Sequence, residues 1–183
     1  MRKFLVTMAL AVTACVGSQA GVTDSLLLYI PNRIIDAFDT FSINLGFGPT
    51  VKAELRGTRA WDFGGGVGAA AMAFKDYNRQ YGGGLENGWN WAFGCIGAED
   101  MERTHTNRWV QEYWHQFSGY ASPDDNIYDF HEGARDYWEL SADLALLVSG
   151  HVALHPVEFA DLFAGFILID LKGDDLTGDS FGF

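Results

Sequence analysis

Apolar and polar residues alternate with period two along much of the chain, and that alternation predicts strands. Phe41, Ile43, Leu45 and Phe47 alternate with Ser42, Asn44, Gly46 and Gly48, and Pro49 ends the run. Val51, Ala53 and Leu55 then alternate with Lys52, Glu54 and Arg56, giving a second strand with one wholly charged face. The expectation for such a sheet is an apolar face packed inside and a charged face in water. After the turn Gly57-Thr58-Arg59, a glycine-rich third strand opens with Trp61, Phe63, Gly65, Val67 and Ala69 and runs toward Phe74. Shorter strands are expected over 79–84 and 88–96, the most regular one over 140–154, and a last one over 166–171. Consecutive strands joined by short turns predict an antiparallel meander.

The period changes to that of a helix twice. Pro31 to Phe38 carries an apolar stripe of Ile30, Ile34, Ile35 and Phe38, and Pro156 to Phe163 carries Phe159, Ala160, Leu162 and Phe163. The two segments share Pro, apolar residues, Asp and Phe at matching offsets, and each precedes a strand. Proline starts a helix at little cost because the first N–H groups lack helical partners anyway. The expectation is that the apolar positions pack on the sheet while Asp36 and Asp161 face water. From about 99 to 137 alternation fails, and the stretch reads as a long excursion from the sheet. A short helix with Trp109, Tyr113, Trp114 and Phe117 on one face is an option within it.

The first twenty residues change the picture from fold to location. Arg2 and Lys3 precede the apolar run Phe4 to Val12, the pattern of a secretion signal, and the run is shorter than the roughly 20 residues that cross a bilayer. Two endings are open: Val12-Thr13-Ala14-Cys15 reads as a lipobox, with Cys15 the lipidated residue, and Ser18-Gln19-Ala20 suits ordinary signal peptidase. The lipobox is the preferred ending, so 1–20 is read as the signal and 21–183 as a single β-rich domain. Two or three acyl chains on Cys15 anchor durably, at about 0.8 kcal/mol per buried methylene.

Composition narrows the class further. The formal net charge is −12, and loss of Arg2 and Lys3 with the signal takes it to −14. A surface of that sign repels phosphate backbones, so nucleic acid is set aside as a partner. Only Cys15 and Cys95 are present; with Cys15 acylated or removed, no intramolecular disulfide is available, and Cys95 reads as a small packing residue. Glycine at 22 residues and aromatics at 15% suit curved, close-packed strands better than a helical bundle. A membrane-spanning barrel needs at least eight strands of about 9–11 residues. Five or six fit here. The fold expectation is therefore mainly β, a curved sheet or small partly closed barrel bracketed by two short helices, with a small outer-membrane barrel as the alternative.

Candidate chemistry is sparse. The chain has no G-x-S-x-G elbow, H-E-x-x-H zinc helix, phosphate loop or dinucleotide fingerprint. His151 and His155 would lie about 13 Å apart on a straight strand, too far to share one zinc with Glu158 unless the strand bends, and they read as solvated. His131-Glu132 and the pair His105 and His115 match no ligand spacing. Asp124, Asp125 and Asp129, with Asn126, form one acidic loop and Asp174, Asp175 and Asp179 another; calcium is the one cofactor they could take, although neither has the D-x-[DN]-x-[DN]-G framework.

Ile30 to Asp36, the turn Gly46-Phe47-Gly48-Pro49, Leu154 to Glu158 and Asp170 to Asp175 resemble motifs of uncharacterised exported bacterial lipoproteins. The resemblance covers both ends of the mature chain and implies an envelope location, with retention at the outer membrane because Val16 follows Cys15. It carries no activity. The resulting expectation is a lipid-anchored, noncatalytic envelope protein, structural or partner-binding. Its partners are the membrane, through the acyl anchor, and an envelope protein or glycan that meets Trp109, Tyr113, Trp114 and Trp138. The alternative is a glycan or small-ligand module, or a hydrolase, that uses the concave face of the sheet.

Overall fold

The computed structural model describes residues 28–105, 113–129, 133–167, 169–173 and 175. Six strands, β1 (Phe41–Thr58), β2 (Trp61–Asp76), β3 (Gln80–Gly94), β4 (Ile96–His105), β5 (Tyr113–Tyr120) and β6 (Leu140–Leu154), form one antiparallel meander of order β5-β4-β3-β2-β1-β6. The sheet is not closed: β5 and β6 are its edges. With helices α1 (Tyr29–Asp39) and α2 (Pro156–Gly165), this is the curved sheet with two short helices that the sequence pattern predicts. The chain divides into two compact units, Phe38–Phe159, which contains the whole sheet, and Met1–Ala37 with Ala160–Phe183. Among the described residues no helix is long and apolar enough to cross a membrane.

Individual strands are longer than the alternation suggests. Pro49 does not end β1; it sits where the β1–β6 register slips between Phe47 and Val51, opposite Leu147 with its φ of 66°. A residue without an N–H is tolerated in a strand where the ladder is already broken by a bulge. The bend there is sharp. Asp143 and His151 are eight positions apart on β6, about 26 Å on a straight strand, yet their side chains meet at 3.0 Å. The segments 79–84 and 88–96 likewise merge, for the most part, into β3. Gly88, at φ 141°, lets β3 pass close to β4, since a Cβ there would lie 2.9 Å from the Met101 Cα.

Much of the expected excursion is sheet. β4 and β5 occupy most of its first half, with Arg103 opposite Tyr113, Met101 opposite His115 and Glu99 opposite Phe117. Tyr113 and Trp114 therefore point to opposite faces of a strand rather than sharing a helical face. The alternation was invisible because both faces of these strands carry polar residues. Among the described residues, 121–129 and 133–139 lie outside the sheet, with one 3-10 turn at Asn126–Tyr128. The last expected strand, 166–171, is not formed among its described residues. The Asp161 carboxylate accepts the backbone N–H groups of Leu171 at 2.8 Å and Lys172 at 3.2 Å, donors that a strand would give to a neighbour.

The largest departure concerns which face is inside. On β1, Glu54 and Arg56 are 5% and 9% exposed, while Val51 and Leu55 are 60% and 66% exposed. The same inversion holds along β6, β1, β2 and β3 and in both helices. Asp36 and Asp161 are buried, and Ile34, Phe38 and Phe163 are exposed, the reverse of the expected orientation.

Candidate functional site

The inner face of the sheet is a charged interior assembled from strands far apart in sequence. Arg56 of β1 donates to Glu54 at 2.7 Å, to Asp62 of β2 at 2.9 Å and to Glu139 at 2.7 Å. Arg103 of β4 donates to Asp76 of β2 at 2.7 Å and to Glu86 of β3 at 2.8 Å. Lys52 donates to Asp143 at 3.1 Å, and Arg135, from the segment between β5 and β6, donates to Glu99 at 2.7 Å. Gly66 makes room for one of these side chains: a Cβ there would lie 2.5 Å from the Lys52 Cβ. Glu54 also accepts from Asn90, two strands away, which only a strongly curved sheet allows.

Burial opposes charge throughout this interior, and its balance with the neighbouring charges sets each outcome. It would raise the Asp143 carboxyl, yet Lys52 and His151 hold it well below the ordinary carboxylate range. His151 is desolvated, which lowers its pKa, but Asp143 outweighs this and lifts it to about 8. Burial pushes Asp62 up to about 6 against the pull of Arg56 and Arg59. Two inner cavities, about 60 and 30 Å³, lie among these groups. That is room for a few waters at roughly 10–15 Å³ each, not for a sugar ring.

A second inner constellation has the geometry of a nucleophile and its base. Ser42 Oγ lies 2.7 Å from His155 Nε2, and His155 Nδ1 lies 3.0 Å from Asp136 Oδ2. The Asp136 carboxylate accepts from Nδ1–H, which leaves Nε2 to accept the Ser42 hydroxyl. Yet Ser42, His155 and Asp136 are 1%, 0% and 3% exposed, so no substrate reaches the hydroxyl. The relay clasps β1, the start of α2 and the segment before β6. His155 is buried and His151 half-buried in polar networks, against the expectation that they are solvated. Sequence alternation could not show this, because it does not say which face is inside.

The outer face differs between its two halves. On β6, β1, β2 and β3 it carries Leu144, Leu146, Val148, Val152, Ile43, Leu45, Phe47, Val51, Leu55, Phe63, Val67, Leu85, Trp91 and Phe93, all of them exposed. The one charge there is Lys75, over the Phe41 ring at the end of β2. On β4 and β5 the same face carries Asp100, Glu102, Thr104, Gln116 and Ser118. Trp61, Phe63, Trp91, Phe93 and Tyr120 gather at the end of the sheet where β1 turns into β2 and β3 into β4.

Trp114 and Trp138 are exposed, at 67% and 51%. Tyr113 turns inward, with the Arg103 and Arg135 guanidiniums 5.4 and 5.2 Å from its ring. Trp109, Cys15, Asp174, Asp179, His131 and Glu132 lie outside the described residues. Asp125 accepts from the Ser122 N–H, Asp124 donates its N–H to Ser122 Oγ, and the Asp129 carbonyl accepts from Gly133. Asp175 pairs with Arg33 at 2.9 Å. Among the described residues no group of three His, Cys, Asp or Glu side chains could hold a metal ion. Cys95 is exposed in the β3–β4 turn instead of packed. No family model, curated protein or solved structure matches the chain.

Proposed function

We propose that this protein is a noncatalytic cell-envelope component that sits against lipid through the apolar outer face of β6-β1-β2-β3, held there in addition by an acyl group on Cys15. One observation carries the reading: the chain is inverted, with its ion pairs inside and its large apolar side chains outside. Water-exposed monomers rarely carry contiguous apolar patches beyond about 600 Å², whereas lipid-facing sheets are apolar outward and polar inward. The aromatic belt at one end of the sheet suits the boundary between acyl chains and head groups. The six strands among the described residues form an open sheet and fall short of the smallest spanning barrels, so the face is read as a wall against lipid and not as a pore.

The reading is tested with the full chain and a Cys15→Ser variant in vesicles of brominated phospholipid. Both proteins are expected to stay with the membrane after a carbonate wash and to show quenched tryptophan fluorescence. A C15S protein that is soluble and monodisperse without detergent, with unquenched tryptophans, would overturn it. The concave-face alternative has one observation in its favour, the convergence of carboxylates on the inner cavities. Each of those carboxylates is matched by Lys52, Arg56, Arg103 or Arg135, and the space is too small for a glycan.

A further inference from the structure

A groove of about 350 Å³ lies where the apolar half of the outer face gives way to the polar half. Val67, Asn87, Trp89, Asp100, Glu102 and Trp114 line it. Their positions follow from the register: Trp89 stands opposite Asp100, and Asn87 and Trp114 flank Glu102 on either side. The two tryptophans are thus diagonal across β4, with the two carboxylates between them. The Trp114 indole N–H donates to Asp100 Oδ1 at 2.8 Å, which fixes the ring at its edge and leaves its faces open. Among the described residues no cationic side chain contacts Asp100, and the Glu102 side chain has no hydrogen bond or ion pair; Arg103, next to Glu102 on β4, points to the inner face.

We infer that this groove takes the alkylammonium group of a zwitterionic phospholipid head group. The chemistry is that of an aromatic cage: tryptophan faces attract a cation through the ring quadrupole, and adjacent carboxylates supply the counter-charge. A neutral ligand would leave the two carboxylates unused, and an anionic one would be repelled by them. The lipid source follows from continuity, since Val67 and Trp89 belong to the apolar face and the carboxylates begin one strand further on. The inference rests on the lipid-facing reading for its source, while the cation chemistry stands without it.

Two measurements test it on the full chain. In the first, tryptophan fluorescence is titrated with choline and with its neutral isostere 3,3-dimethyl-1-butanol. Saturable binding of choline alone is expected, weakened ~fivefold or more in Trp114→Ala and in the double variant D100N/E102Q, the scale of one cation–π contact. Equal response to the neutral alcohol, or no loss in both variants, overturns the cation site. In the second, binding to phosphatidylcholine and phosphatidylglycerol vesicles is compared for the wild type, D100N/E102Q and D124N/D129N, which makes the same change in charge elsewhere. The preference for phosphatidylcholine is expected to fall in D100N/E102Q and to persist in D124N/D129N. Choline binding without that pattern overturns the lipid source. Failure of every protein to bind either vesicle overturns the lipid-facing reading itself, and with it the lipid source.

Discussion

The outer face of β6-β1-β2-β3 and that of β4-β5 belong to one sheet and cover one charged interior, yet one is apolar and the other carries Asp100, Glu102, Gln116 and Ser118. Inside, the halves are equivalent: Arg56 on the first and Arg103 on the second each gather carboxylates from neighbouring strands. The contrast teaches that the interior holds the sheet together, while the outer surface records what each half meets. An ion-pair interior contributes little net stability relative to an apolar one, but it ties the strands to one curvature, because each charge must keep its partner.

The largest expected effect probes what the halves share. Arg56→Met and Arg103→Met each leave buried carboxylates without counter-charge and should cost about 3–5 kcal/mol, equally in both halves; urea unfolding in detergent measures this, and a negligible loss for Arg103 would mean that β4 is not part of the common interior. Next come the outer faces. Leu146→Lys should cost about 2–4 kcal/mol in a bilayer and Gln116→Lys close to nothing, so membrane retention after a carbonate wash should drop for the first alone. Equal behaviour of the two variants would erase the contrast.

The interior is also tested by pH. His151 has a folded pKa of about 8, above its ordinary 6.5, so its contribution is fully present below about pH 6.5 and is lost as pH rises through 8. A loss of about 2 kcal/mol across that window is expected, and His151→Asn should flatten it. Asp62, raised to about 6, acts in the same direction at lower pH. The smallest effect is expected from Ser118→Leu on β5, outside the lipid-facing strands, which should leave membrane retention unchanged; a clear gain in retention would mean that β5 also meets lipid.

Part of this was legible in the residues. The alternation over Leu140 to Leu154 marks β6 to its ends, and prolines 31 and 156 mark the two helices. Strands β4 and β5 were not legible because acids and amides on their outer face mask the inner alternation of Glu99, Met101 and Arg103. The Ser42–His155–Asp136 relay was hidden for another reason: 113 residues separate its serine from its histidine, and only pairing of β1 with β6 joins them.

The sequence by itself determined which side chains share a face, since successive residues of a strand point to opposite sides whatever surrounds the sheet. It did not determine which face is enclosed. Lys52, Glu54 and Arg56 alternate with Val51, Ala53 and Leu55 whether the sheet curls around one set or the other. The tertiary structure decided that, because the bulge at Pro49 and the bend at Leu147 curl the sheet toward its charged face, where lysine and arginine from three segments meet carboxylates at ion-pair distance.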